Sequence, residues 1–309
     1  MSVQGQPPAG EAGAGGDTPR VPLSGQLCVL TCAVMWSFGG FFVKILTGHF
    51  GVDPRAVACL RSAIVGVLLS WALPRMRHAP RWRTGAAAVV YAVVVGSFVL
   101  ATSGTTAANA IFLQYAYPLL VAVGAVFLFS ARLGCRTVAA LVVGMAGVAT
   151  ILVCSWEPGQ RAGVAYGFGS AFAFAAFTLL NRSIRVGSPI ALSSFYNLTA
   201  AVLLLPLAWG VLSLSLPALL VVAAMGTFQL GIPYVLFIKG LRTVPATDAA
   251  LITLVEPVLN PVWVWLFVAE APTASTVVGG ALILLALVVR FAGVRRVGCV
   301  PVTSAEGGP

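Results

Sequence analysis

Apolar residues recur in long unbroken runs separated by short polar stretches. The runs fall at about Leu27–Ile45, Val57–Leu73, Gly85–Ala101, Ala107–Phe129, Val138–Val153, Gly163–Leu180, Ile190–Leu212, Pro217–Ile238, Ala249–Val268 and Thr276–Phe291. A helix that crosses ~30 Å of hydrocarbon needs roughly 20 apolar residues, so this pattern predicts ten transmembrane helices, several near the short limit. Residues 1–24 and 294–309 are polar and rich in Gly, and read as disordered cytoplasmic tails; no apolar run followed by a cleavage site marks a signal peptide. The expected fold class is an all-α integral membrane protein.

The pattern also repeats. At a shift of 138 residues Gly25 meets Gly163, Lys44 meets Arg182 and Trp71 meets Trp209; at 139, Ala107 meets Ala246, Asn109 meets Asp248 and Pro118 meets Pro257. Two units follow, residues 25–155 and 156–293, each with five helices. An odd number of spans makes the second unit enter the membrane upside down, so two inverted five-helix repeats are expected, with a binding site between them near the midplane.

Composition agrees with that reading. With 59% hydrophobic and 8% charged residues in 309, there is too little polar surface to coat a water-soluble globule. The net charge of +10 sits in short connections, where it orients the chain, so nucleic acid is excluded as a partner. With the amino terminus inside, 14 of the 18 Lys and Arg residues fall on the inner side, which places both termini in the cytoplasm of a multi-pass cell-membrane protein. Cys28, Cys32, Cys59 and Cys154 lie in or beside apolar runs without a Cys-x-x-Cys pair and read as small apolar fillers.

One run carries an acid at its centre. In Thr247–Phe267, Glu256 is followed by Pro257, and Thr253, Glu256 and Asn260 share a helix face that Trp263 continues. An ionised carboxylate at mid-membrane costs roughly 3 kcal/mol on insertion scales, so it faces protein or water. Pro257 frees a carbonyl near Thr253, and Pro261 repeats the disruption. Under the 139-residue shift Gln114 and Tyr117 of the fourth helix match Thr253 and Glu256, so the two proline-bearing polar faces are expected to meet across a cavity. Asn109 and Asp248, near the starts of these helices, read as caps or as ligand contacts.

Other residues carry two readings each. Lys44 and Arg61 attract an anionic group or neutralise Glu256; alternatively Lys44 snorkels to the outer interface and Arg61 forms a structural ion pair. Trp36 stacks on a ligand or packs between helices. Gln229 and Tyr234 bracket Pro233 in the eighth helix, as in a kinked cavity wall. Gly163 and Gly167 form a small-xxx-small pair that lets another helix approach.

Taken together, the ten-helix plan, Trp36-Ser37-Phe38-Gly39-Gly40, the run from Thr105 to Pro118, and Leu254-Val255-Glu256-Pro257-Val258 resemble the EamA family of the drug/metabolite transporter superfamily. The resemblance covers nearly the whole chain outside the tails. It implies an inner-membrane secondary carrier, usually an exporter of small metabolites, amino acids or drugs, with a cavity that alternates its access. One departure is Ala131, where the second repeat has Glu270.

Enzyme motifs are absent: there is no Gly-x-Ser-x-Gly, Walker loop or His-Glu-x-x-His. Neither a catalytic residue nor a metal or cofactor site is expected. The partners are a small-molecule substrate and the lipid bilayer, with a homodimer left open. Two functions stay in view. One is a secondary transporter in which Glu256 carries a proton. The other is a non-transporting assembly partner in which Glu256 is only a buried ion pair.

Overall fold

In the computed structural model, residues 22–76, 81–129, 134–154, 161–269, 271 and 274–291 are described, and no strand occurs among them. The predicted tails, apart from residues 22–24, lie outside the described residues. So do Arg132 and Glu157 of the connections, and the Ala131 and Glu270 pair.

Helix α1 (Leu23–Trp36) ends at Ser37–Phe38, and α2 (Gly39–Lys44) continues it into a π-helical turn, Ile45–His49. Helix α3 (Pro54–Leu68) turns by 68° into a 3₁₀ segment, Ser70–Met76. Helices α4 (Arg81–Gly104), α5 (Ala107–Gln114), α6 (Tyr117–Phe129) and α7 (Cys135–Cys154) complete the first half. The second half contains α8 (Arg161–Ser183), α9 (Pro189–Ala208) and α10 (Leu216–Ala224), which runs through a second π turn, Met225–Gly231, into α11 (Ile232–Gly240). It closes with α12 (Ala246–Ile252), α13 (Val255–Val268) and α14 (Ala274–Phe291).

Among the described residues seven helices are long and apolar enough to cross a membrane, eight with the bent pair; Cys135–Thr150 and Val277–Ala286 are shorter apolar helices. Their outward faces are apolar: Phe127, Val202, Trp209 and Leu266 are all exposed. A soluble monomer rarely exposes such a surface, and lipid accommodates it.

Two interruptions were not evident in the sequence. The α3 bend follows from Pro74, which offers no N–H to the carbonyl of Ser70, so the α-helix cannot continue through it. The break after Trp36 falls just before Gly39 and Gly40, and two of its carbonyls are taken by side chains from later helices. Asn260 Nδ2 donates to Ser37 O at 2.7 Å, and Gln229 Nε2 reaches Trp36 O at 3.5 Å. Unmatched backbone is tolerated at membrane depth only with such partners.

Packing partners exchange by the half-chain offset. The first helix packs on α11 as α8 packs on α4, and α1 meets α12 and α13 as α8 meets α5 and α6. Pairs α3 with α9 and α7 with α14 each map onto themselves, and α6 with α12 maps onto α13 with α5. A close backbone crossing falls at Gly163, where a Cβ would lie 2.6 Å from Gly104 C and 2.7 Å from its O. One turn on, a Cβ at Gly167 would lie 2.8 Å from Leu113 Cβ, so this stripe brings α8 against α4 and α5.

Asp53 caps α3, accepting from Arg55 N at 2.8 Å and pairing with the Arg55 guanidinium at 2.7 Å. That guanidinium holds the Asp53 carboxyl below the usual carboxylate range. Its contribution is therefore present at neutral pH and is lost as pH falls through that lowered value. Asp53→Ala is expected to cost about 1 kcal/mol at pH 7. Thermal unfolding in detergent should show the gap from wild type closing as pH falls below the ordinary carboxylate range.

Candidate functional site

The fourth and ninth segments of the chain are both broken, at matching places. Helices α5 and α12 start 139 residues apart, and each ends just before a break, at Tyr115–Ala116 and at Thr253–Leu254. The cause is local: Pro118 and Pro257 lack the donor that would continue the ladder, and the chain tightens to three-residue bonds, Ala116 N to Leu113 O and Leu254 N to Leu251 O. Pro261 causes no break, since α13 runs through it.

At the ninth-segment break the freed groups are taken by tyrosines from the fourth. Tyr115 Oη lies 2.5 Å from Glu256 Oε2 and 2.8 Å from the carbonyl of Thr253, and its one hydroxyl hydrogen serves the carboxylate or that carbonyl. Tyr117 shares a short hydrogen bond with the Thr253 hydroxyl, which also donates to Ala250 O at 2.9 Å. All four side chains are buried, with Glu256 5% exposed.

Beside this cluster lies a narrow cleft with only about 20 Å³ of free space, lined by Trp36, Arg61, Val94, Val95, Phe98, Gln114, Phe174, Gln229, Leu230, Tyr234 and Glu256. Of the ten residues singled out in the sequence, Trp36, Arg61, Gln114, Gln229, Tyr234 and Glu256 are brought together here. Gln114 Nε2 donates to Ser170 Oγ at 2.6 Å. Trp36 packs on Phe174, Tyr234 and Phe237 with ring centroids 4.8 to 5.4 Å apart, so it is both packing and lining.

The other four lie outside the lining. Thr253 and Tyr117 face each other beneath it. Asn260 holds the α1–α2 break at Ser37, joined by Trp263, whose Nε1 donates to Ser37 Oγ at 2.7 Å. Lys44 is half-buried at the end of α2.

Arg61 does not pair with Glu256. Its NH1 donates to Gln229 Oε1 at 3.2 Å and its NH2 to Val95 O at 2.8 Å, and no ion pair joins it to the carboxylate. The geometry differs from the structural ion pair that the sequence left open, because Gln229 and a backbone carbonyl occupy the guanidinium instead.

The capping reading is corrected as well. Thr106, not Asn109, caps α5, accepting from Asn109 N at 3.1 Å. Pro245 precedes α12, with Asp248 buried in its first turn. Tyr115 was missed because the offset pairs it with Leu254, which has no polar group. Its place in the polar run after Thr105 was the available signal.

Broken helices that meet at a buried polar cleft are a recurring plan of carriers, and the comparisons give the family. The profile of the EamA-like transporter family matches residues 23–153 and again 161–291, so the chain belongs to that family, within the drug/metabolite transporter superfamily. The family is one of membrane transporters. The "Uncharacterized transporter YwfM" of Bacillus subtilis (strain 168) is 30% identical over 139 residues, 44% of this chain and 47% of that protein. The chain thus aligns with about half the length of this curated relative. A solved crystal structure, described only as that of a protein, superposes with a TM-score of 0.72 at 20% identity, covering 87% of this chain and 96% of the other. At that identity the likeness shows the fold alone.

Proposed function

We propose that this protein is a secondary active transporter, an exporter of small metabolites, amino acids or drugs, in which Glu256 couples substrate movement to a proton. The observation that carries this reading is that Glu256 lines the cavity beside Arg61 without pairing with it, and hydrogen-bonds a neutral tyrosine instead. A carboxyl with no fixed counter-ion is able to gain and lose a proton as its surroundings change.

Ten spans in two inverted repeats fit the exchanged packing pairs and the matching breaks. Broken helices at corresponding positions of two halves mark the binding site in many carriers. On this topology two closures flank the cleft. The outer one stacks Phe38 on Trp263 at 4.5 Å, with Phe228 edge-on to Phe38 at 5.5 Å, and the inner one joins Tyr117 to Thr253. Alternating access then opens one while the other holds.

Metabolite profiling of growth medium tests the direction. A compound should build up outside overexpressing cells and inside deletion cells; the reverse pattern marks an importer. Both termini are placed in the cytoplasm. Cysteines at Arg75 or Arg83 should accordingly resist an impermeant thiol reagent in intact cells and react once the membrane is opened. Labelling in intact cells inverts the topology.

A further inference from the structure

We infer that the cleft, once widened from the narrow form described above, takes a substrate bearing a carboxylate, seated on Arg61 and the indole N–H of Trp36, with an apolar body against Phe98, Phe174 and Tyr234. The inference rests on the transporter reading above and names the substrate chemistry of the same site.

Arg61 is 1% exposed, and a guanidinium stays charged in proteins. Its hydrogen-bonded partners, Gln229 and the Val95 carbonyl, are neutral. They use two of its five donors, and Nε is buried with no hydrogen-bond partner. Trp36 is 4% exposed and its indole nitrogen is likewise buried without a partner. Both side chains line the cleft, so the buried lining atoms left without a partner are donors, with a positive charge behind them.

The charged lining groups are Arg61 and Glu256, with Tyr234 the other titratable one. When Glu256 carries its proton, the lining holds one uncompensated cation, which a monoanion neutralises. A planar carboxylate suits the remaining fork of a guanidinium, accepting two parallel bonds. The rest of the wall is apolar and aromatic: Val94, Val95, Phe98, Phe174 and Leu230. A strongly hydrated polyanion is disfavoured there, whereas a carboxylate on a small apolar body is matched at both ends.

The test uses the full chain in detergent and three probes on one phenylethyl body: 3-phenylpropionate, its isosteric amide, and the cationic 2-phenylethylamine. Binding of radiolabelled 3-phenylpropionate should be saturable, and the amide should compete at least about tenfold less well, the difference expected for hydrogen bonds to a charged acceptor. The amine should be no better than the amide. Trp36→Phe keeps the ring but removes the N–H, and should narrow the carboxylate preference about threefold or more, weakening carboxylate binding more than amide binding. Arg61→Gln should abolish the preference. Should that variant fail to fold, Trp36→Phe still decides.

No saturable binding of the carboxylate, equal competition by the amide, a preference for the amine, or a preference unmoved in the folded variants overturns the inference. Because binding is read without a membrane, its failure is separable from that of the transport reading. A protein that binds the carboxylate but moves nothing across vesicles overturns only the latter.

Discussion

Glu256→Gln is expected to leave a folded protein that exchanges substrate across a membrane but no longer accumulates it against a pH gradient. Were the carboxylate the structural partner of a buried cation, its removal would strand that charge at a cost of about 3 to 5 kcal/mol. The Arg61 guanidinium is held by Gln229 and Val95 instead, so no such penalty follows. The amide oxygen of Gln can still accept from Tyr115, and the change at that bond is about 1 kcal/mol. In proteoliposomes holding the substrate found by profiling, one unit of pH gradient supports up to about tenfold accumulation through a one-proton coupling. The variant should reach a ratio near one, with its thermal midpoint within a few degrees of wild type. Undiminished accumulation removes Glu256 from the coupling.

The second large effect is on assembly. Gly163→Ala is expected to destabilise the protein, because the new Cβ meets Gly104 C at 2.6 Å, Gly104 O at 2.7 Å and Thr105 N at 2.9 Å, all backbone atoms that cannot rotate aside. Helices α4 and α8 must separate, at about 1 to 3 kcal/mol for overpacking, and a larger side chain should abolish folded expression. Gly169 in the same helix provides the control, since its Cβ would meet nothing within 4 Å. Gly169→Ala should be neutral or stabilising by up to about 1 kcal/mol through helix propensity. Thermal unfolding of the two variants side by side reads the difference. Equal midpoints would contradict the close crossing.

The outcome at individual residues shows what a sequence holds and what it leaves to tertiary structure. The breaks in the fourth and ninth segments were foreshadowed because proline acts on its own backbone, and the 139-residue offset linked Pro118 to Pro257. The close approach at Gly163 and Gly167 was likewise foreshadowed, because only a missing side chain allows it. Side-chain destinations were harder. Thr253 and Glu256 share a helix face, yet Thr253 turns to Tyr117 while Glu256 reaches the cleft, a choice made by the neighbouring helix. Arg61 was identifiable as a buried cation, but its neutral partners come from Gln229, 168 residues away, and from a backbone carbonyl. Asn260 was read as part of the polar face, but the Ser37 carbonyl it serves becomes free only once the first helix breaks.

The central claim is that the cleft between the broken helices is the compartment that alternates its access. Its most direct test needs no knowledge of the substrate. With the six native cysteines replaced, a single cysteine at Gln114 should react with an impermeant thiol reagent added to either face, in right-side-out and in inside-out vesicles. Reaction from one face only, or only with a membrane-permeant reagent, would contradict it.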